Sequence, residues 1–138
     1  LTDGDFAKGN FFPPTLLDDC NTKMSCVQDE SFGPIITVET FKNEDEAIQL
    51  ANDTIYGLSG AVWSGDTEKA RRVSRALRHG TVWVNDYGPY KPEAEWGGFK
   101  ASGIGRELGE HGLQEFLESK HIWTNNKPAR SGWFKDPR

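Results

Sequence analysis

Two capped helices alternate with short apolar strands between residues 34 and 84, and this alternation constrains the fold more than any other feature. Asn43 is a suitable N-cap for a helix that ends near Asn52, and Glu46 completes a capping box. Asp66 caps a second helix, in which apolar residues recur at helical spacing. The flanking strands are residues 34–41, 59–63 and 81–84. This order predicts an α/β fold with right-handed parallel crossovers and helices that cover the sheet.

The segments outside this unit are less regular. Prolines interrupt a strand at residues 10–17. Within the unit, Gly80 is expected to terminate the second helix as its C′ residue. The strand at residues 81–84 is expected to be buried on both faces. A glycine-rich loop follows, then a short helix and a last strand. These segments are residues 85–106, 110–118 and 120–124. The last strand either completes its own sheet or pairs with another subunit.

Composition excludes several function classes. The 138 residues carry 16 basic and 21 acidic side chains, a net charge of −5, which argues against nucleic-acid binding. No apolar run is long enough to cross a membrane, no signal peptide is visible, and the missing initiator Met suggests a chain that begins within a longer protein. Cys20 and Cys26 have no nearby histidine, so zinc is not expected, and a reduced cytoplasmic setting is the default.

A rigid turn at residues 28–34 carries a candidate binding site. Glu30 and Phe32 precede a Gly-Pro pair and a strand. A carboxylate there can accept hydrogen bonds from the two hydroxyls of a ribose, while the ring lies against a flat heterocycle. The alternative is an ordinary turn with a core phenylalanine and a solvated glutamate.

The loop after residue 84 carries a second candidate site. Tyr87, Tyr90 and Trp96 can converge as aromatic walls, with the carboxylates of Glu93 and Glu95 close in sequence. Aromatic faces and carboxylates are how proteins bind quaternary ammonium groups, because the ring quadrupole attracts a cation that has no proton to donate. The alternative is that these rings only close the mouth of the sheet.

Four motifs in order resemble the C-terminal part of the aldehyde dehydrogenase superfamily, over about residues 9–127. They are Glu30-Ser31-Phe32-Gly33-Pro34, Asn52-Asp53-Thr54-Ile55-Tyr56-Gly57-Leu58, Gly80-Thr81-Val82-Trp83-Val84-Asn85 and the run from Trp96 to Gly109. Within the superfamily, residues 84–90, 96–98 and 119–122 are most similar to betaine aldehyde dehydrogenases. The resemblance implies a partial doubly wound, mostly parallel sheet. It divides the chain into catalytic-domain residues 1–117, an oligomerisation strand at 118–127 and a tail at 128–138.

The resemblance also implies roles for individual residues. Glu30 matches the glutamate that binds the nicotinamide-side ribose of NAD, and Phe32 matches the aromatic beside the nicotinamide; NADP is the alternative cofactor. Trp96 matches the substrate-pocket aromatic, and Tyr87 and Tyr90 fall on the same loop.

Further matches concern protons, metal and assembly. Glu107 matches a glutamate assigned to proton relay, and the main-chain carbonyls of Lys100 and Gly103 match potassium ligands. The strand near residues 120–124 corresponds to one used for dimer and tetramer assembly. Glu95 replaces the small residue or proline usual at its position, and either attracts a cationic aldehyde or faces solvent.

The resemblance implies a cysteine nucleophile and a general-base glutamate that lie upstream of this region. Cys20 and Cys26 do not match the nucleophile motif, so the 138 residues alone are predicted to be inactive. The predicted enzyme oxidises an aldehyde, with betaine aldehyde as the leading substrate and an aminoaldehyde or semialdehyde as the alternative. A hypothesis of another class is a non-catalytic module that self-associates through its last strand.

Overall fold

The computed structural model describes residues 3–129 and 132–133, so most of the predicted tail at 128–138 lies outside the described residues. The strands are β1 (Thr15–Leu17), β2 (Ile35–Thr37), β3 (Ser59–Val62) and β4 (Thr81–Val84). The helices are α1 (Ser25–Gln28), α2 (Glu44–Asn52), α3 (Thr67–Ala76) and α4 (Gly109–Gln114). Short 3-10 helices lie at Gly4–Lys8 and Lys100–Ser102. The chain is thus a mixed α/β structure.

Helix α2 begins and ends where its sequence predicts. The Oδ1 atom of Asn43 accepts a hydrogen bond from the main-chain N–H of Glu46 at 2.9 Å, which satisfies one of the free donors of the first turn. The carboxylate of Glu46 reaches back to the N–H of Lys42 at 2.6 Å, one residue before the expected partner. The helix therefore starts with a variant of the predicted capping box.

Helix α3 starts as predicted but ends earlier. The carboxylate of Asp66 accepts from the N–H of Lys69 at 3.0 Å, and this bond is the main cause of a lowered pKa of Asp66. The helix stops at Ala76 because Leu77 is extended, with φ −73° and ψ 129°. The prediction that Gly80 is its C′ residue is wrong. Gly80 instead leads into β4, where its N–H donates to the Gly57 carbonyl at 3.0 Å.

The strands form two separate parallel pairs. Strand β1 pairs with β2, and Ser59 to Val62 of β3 pair in register with Thr81 to Val84 of β4. In the described residues β2 and β3 belong to different sheets, so the doubly wound sheet is not formed here. Helix α3 packs on β3 and β4, which makes β3–α3–β4 a parallel crossover unit.

Burial is much lower than the sequence predicts. Strand β4 is half-buried and its last residue, Val84, is exposed, so burial on both faces is wrong for the described chain. Ala70 is the buried hydrophobic residue of the described core, and the accessible surface is 12046 Å². A compact monomer of 15.4 kDa exposes about 7,200 Å². The described chain therefore exposes much more surface than a compact monomer of its mass. Large apolar side chains such as Phe32 and Trp123 are part of that exposed surface.

The C-terminal part of the described chain is irregular. Helix α4 covers only part of the predicted segment 110–118, and described residues from 115 onward form no strand. No described strand lies beside residues 120–124, where a strand was expected, and Ile122 and Trp123 are 77% and 80% exposed. Among the described residues, no helix has both the length and the apolar character needed to cross a bilayer.

Candidate functional site

Two adjacent clefts are lined by four of the nine candidate site residues. The first cleft, of about 450 Å³, lies between the end of α1 and the turn before β3, and Glu30 lines it. The second cleft, of about 310 Å³, is lined by Trp96, Gly103 and Glu107. Leu58 and Ser102 line both clefts. Glu30 and Trp96, a candidate cofactor residue and a candidate substrate residue, therefore lie on neighbouring surfaces.

Glu30 and Phe32 follow α1 directly. This helix is anchored by the side-chain amide of Gln28, which donates to the Asp53 carbonyl at 2.8 Å. The carboxylate of Glu30 is exposed toward the first cleft, whereas the Phe32 ring is 95% exposed and does not line it. The structure thus does not bury Phe32 in a core, and it leaves both groups accessible to a ligand.

Four aromatic rings form a contiguous group, which we call the aromatic cluster: Trp83, Tyr87, Tyr90 and Trp96. The centroids of the Tyr90 and Trp96 rings are 4.4 Å apart, and those of Trp83 and Trp96 are 6.1 Å apart. Tyr87 joins through Trp83, at 5.6 Å and an interplanar angle of 62°. The convergence of the three aromatic residues predicted from the loop is therefore present in the structure.

Trp83 was not singled out as a site residue by the sequence, where it is one apolar position within a strand. Its indole Nε1 donates to the Pro89 carbonyl at 3.3 Å, which ties the loop to β4. The one sequence feature that pointed to a role for Trp83 in the site was its position two residues before the aromatic loop begins. Side chains alternate between the two faces of a strand, so the sequence alone did not tell which face carries the indole.

Trp96 is held by main-chain pairing with Glu107. The N–H of each residue donates to the carbonyl of the other at 2.7 Å, as an isolated antiparallel bridge. Burial raises the pKa of Tyr90, and the Glu107 charge raises it further, so this carboxylate is electrostatically coupled to the aromatic cluster. The candidate proton-relay residue is thus next to the candidate substrate pocket.

Glu95 has a partner that the sequence did not reveal. Its Oε1 atom lies 3.0 Å from Nδ1 of His111, whose side chain is 68% exposed. The two residues are 16 positions apart and meet because α4 brings His111 back beside the loop. The hydrogen bond from His111 lowers the pKa of Glu95, and the same bond raises the pKa of His111.

The glycine-rich segment places the two candidate metal ligands at the ends of a 3-10 turn. The ammonium of Lys100 donates to the carbonyls of Asn52 and Thr54 at 3.0 and 2.9 Å. Gly103 has φ 148° and lines the second cleft. The guanidinium of Arg106 donates to the Gly98 carbonyl and lies 5.3 Å from the centroid of the Phe99 ring. These contacts fix the backbone that carries the carbonyls.

The two cysteines do not have the environment of a nucleophile. Both are free and half-buried. Burial is the main cause of a raised pKa of Cys20, and repulsion from Cys26 adds to it. A nucleophilic cysteine needs a lowered pKa, because the thiolate is the reactive form. The raised pKa of Cys20 therefore disfavours the thiolate form.

Comparison with known proteins gives a consistent result. The sequence profile of the aldehyde dehydrogenase family matches residues 1–122. The chain is 57% identical over 132 residues to a betaine aldehyde dehydrogenase of Bacillus subtilis, and 48% identical over 132 residues to an aminoaldehyde dehydrogenase of Pisum sativum. These alignments cover 96% and 94% of this chain but 27% and 26% of the relatives. The chain thus spans about a quarter of their length.

A solved structure agrees with these relatives. The crystal structure of betaine aldehyde dehydrogenase from Staphylococcus aureus in complex with NAD+ superposes with a TM-score of 0.89 and 58% sequence identity. The match covers 95% of this chain and 26% of that one. The described fold is therefore part of a larger fold that has been seen with a dinucleotide bound.

Proposed function

Because the chain belongs to the aldehyde dehydrogenase family, we propose that the full-length protein oxidises betaine aldehyde to glycine betaine. The aromatic cluster is the observation that carries this proposal, with Tyr90 and Trp96 rings at 4.4 Å and Trp83 at 6.1 Å from Trp96. A trimethylammonium group has no N–H to donate, so ring faces are the favourable partners for it. The betaine aldehyde dehydrogenases among the relatives support the same substrate.

We propose NAD as the cofactor, with Glu30 and Phe32 as its contacts. The exposed Glu30 carboxylate lines a cleft of about 450 Å³, which fits a group that offers two ribose hydroxyls. The accessible ring of Phe32 can lie against a flat heterocycle. Bound NAD would supply the hydride acceptor for the oxidation. NADP remains the alternative, since no described residue bears on the phosphate that distinguishes it.

Glu107 is proposed as a proton relay and Trp96, Tyr87 and Tyr90 as substrate contacts. The coupling of the Glu107 charge to Tyr90 supports the first role, because a relay must lie near the reacting groups. Glu95 is proposed to act at the same pocket. Its carboxylate is engaged by His111 at 3.0 Å, which argues against a free charge that attracts the substrate directly.

Potassium is a further proposal, with the carbonyls of Lys100 and Gly103 as ligands. Oxygen donors suit a hard cation. The side chain of Lys100 is held at the C-terminal end of α2, because its ammonium donates hydrogen bonds to the carbonyls of Asn52 and Thr54. The two proposed ligands are the carbonyls at either end of the 3-10 turn at Lys100–Ser102.

We propose that the remainder of the protein completes a doubly wound sheet around the two strand pairs, with residues 1–117 as part of the catalytic domain. Residues 118–127 are proposed to pair with a partner subunit in a homodimer or homotetramer. The exposed Ile122 and Trp123 in a segment without a strand support this assembly. A cytoplasmic location is proposed on the two free thiols; the plant relatives are named as chloroplastic or peroxisomal proteins.

NADH formation by the full-length protein tests the proposed reaction. We expect turnover with betaine aldehyde, and no turnover by the 138-residue chain alone, because neither Cys20 nor Cys26 matches the nucleophile motif. The same assay with 3-aminopropanal and 4-aminobutanal tests the alternative, an aminoaldehyde dehydrogenase, which the relative of Pisum sativum favours. A primary ammonium gives up hydrogen bonds to water that ring faces replace only in part, so we expect a higher kcat/KM for betaine aldehyde.

Two outcomes of this assay contradict the proposal. A higher kcat/KM for the aminoaldehydes assigns the protein to the alternative. The absence of turnover with every aldehyde, from folded protein with NAD and NADP, excludes the reaction itself.

A further inference from the structure

Three contacts join residues 92–96 of the aromatic loop to residues 107–111. The N–H of Gly109 donates to the Pro92 carbonyl at 3.0 Å, and Trp96 pairs with Glu107 through two main-chain bonds of 2.7 Å. The third contact is the side-chain pair of Glu95 and His111 at 3.0 Å. The first two are main-chain bonds that do not titrate, so the side-chain pair is the contact in this set that responds to pH.

The position of the Glu95 side chain is further restricted by Gly109. This glycine has φ 57°, and a Cβ atom built on it would lie 2.8 Å from Cδ of Glu95. The carboxylate thus lies where a Cβ atom at position 109 would crowd it, and from there it contacts His111. Since Glu95 directly precedes Trp96, this pair restricts the backbone that carries the central ring of the aromatic cluster.

We propose that His111 is a positioning residue, which holds Trp96 in place for the substrate through its contact with Glu95. This inference rests on the proposed function, because it concerns the same substrate pocket. His111 does not touch the aromatic cluster in the described contacts, so it acts through Glu95. The proposal differs from a direct role of Glu95, in which a free carboxylate attracts a cationic aldehyde.

The pH dependence of the pair has a defined direction. The pKa of His111 is raised above 6.5, so the ion pair is complete at lower pH and is lost as the pH rises through the raised value. The pKa of Glu95 is lowered below 4.5, so the pair is also lost at strongly acidic pH. The other charged groups that act on His111 in the described residues are Glu110, which raises its pKa, and Arg106, which lowers it.

Steady-state kinetics of the full-length enzyme test the proposal with two aldehydes. Betaine aldehyde carries the charge, and 3,3-dimethylbutanal is its neutral isostere. At pH 6 we expect His111→Gln to raise the KM for both aldehydes about two- to fivefold, with kcat unchanged, because an exposed ion pair has a modest effect. As the pH rises, the wild-type KM should approach that of the variant.

Three further variants make the result specific. His111→Lys keeps a positive partner at all pH values, and should keep the low KM at high pH. The double variant Glu95→Gln/His111→Gln should have the KM of His111→Gln, as expected for two residues that act as one pair. Arg71→Gln is the matched control, since it removes another exposed ion pair, with Glu68 at 3.8 Å, that lies on α3. It should keep the wild-type pH profile.

The outcomes separate this proposal from the proposed function. A His111→Gln enzyme with the wild-type KM and pH profile overturns the positioning role, even if betaine aldehyde is the preferred substrate. A KM that falls for betaine aldehyde alone also overturns it, because that result means that His111 only neutralises Glu95. The proposed function fails separately, if the wild-type enzyme does not oxidise betaine aldehyde.

Discussion

Replacing Trp96 with alanine is expected to lower kcat/KM for betaine aldehyde about tenfold more than kcat/KM for 3,3-dimethylbutanal. One ring face contributes about 0.5–2 kcal/mol to the binding of a cation, and 1.4 kcal/mol corresponds to a factor of ten. Trp96 is the central ring of the cluster, in contact with both Tyr90 and Trp83. The change in shape should affect both aldehydes, whereas the loss of the ring face should affect only the cation.

Trp96→Phe is the matched variant for this experiment, because it keeps a ring at the same place. We expect it to retain most of the preference for the charged aldehyde, with some loss because tryptophan is the stronger cation–π partner. An equal loss for the two aldehydes in Trp96→Ala would mean that the ring only fills space. The aromatic cluster would then be the plug at the mouth of the sheet that the sequence also allowed.

Replacing Gly80 with alanine is expected to reduce the free energy of unfolding by about 3 kcal/mol or more. A Cβ atom on Gly80 would overlap the carbonyl oxygen of Gly97, and both groups belong to the backbone, so neither can rotate away. Gly80 also donates to the Gly57 carbonyl at 3.0 Å. Urea unfolding of the full-length protein, followed by tryptophan fluorescence, should show an earlier first transition.

Gly65→Ala provides the control for this measurement. A Cβ atom on Gly65 has nothing within 4 Å, and the residue does not adopt a positive φ. We expect an unfolding curve within about 0.5 kcal/mol of the wild type for this exposed position. Equal stability of the Gly80→Ala and wild-type proteins would show that the turn at residues 96–98 does not pack against the start of β4 as described.

Local features of the fold could be read from the sequence because they depend on residues close in the chain. The cap of α2 is an example, since Asn43 and Glu46 are three residues apart and their bond follows from helix geometry. The parallel pairing of β3 and β4 followed from one short crossover helix between them. The four-residue helix α1 was missed, because one turn leaves almost no periodic signal.

Features that depend on distant residues could not be read in the same way. Glycine is typical of a helix terminator, yet position 80 requires a glycine because Gly97, 17 positions later, leaves no room for a side chain. His111 and Glu95 are separated by 16 positions and meet only because the loop folds back. The low burial of β4 also depends on which protein surface covers the strand. The hydrophobic pattern of the sequence does not specify that surface.

The candidate site lies between these two cases. Tyr87, Tyr90 and Trp96 were identified as a group because they share one loop. In the structure Tyr90 contacts Trp96 directly, and Tyr87 joins them through Trp83. The relation of Glu30 to this group was not evident from spacing, since 66 positions separate it from Trp96. The two clefts meet because Leu58 and Ser102 line both. The roles of these residues in binding remain predictions.

The central claim is that the aromatic cluster binds a quaternary ammonium aldehyde. The most direct measurement is the ratio of kcat/KM for betaine aldehyde to kcat/KM for 3,3-dimethylbutanal, with the wild-type full-length enzyme and saturating NAD. The two molecules have the same shape and differ in charge, so the ratio reports the attraction of the rings for the cation. We predict a ratio of about ten or more. A ratio of about one, or a preference for the neutral aldehyde, would contradict the claim.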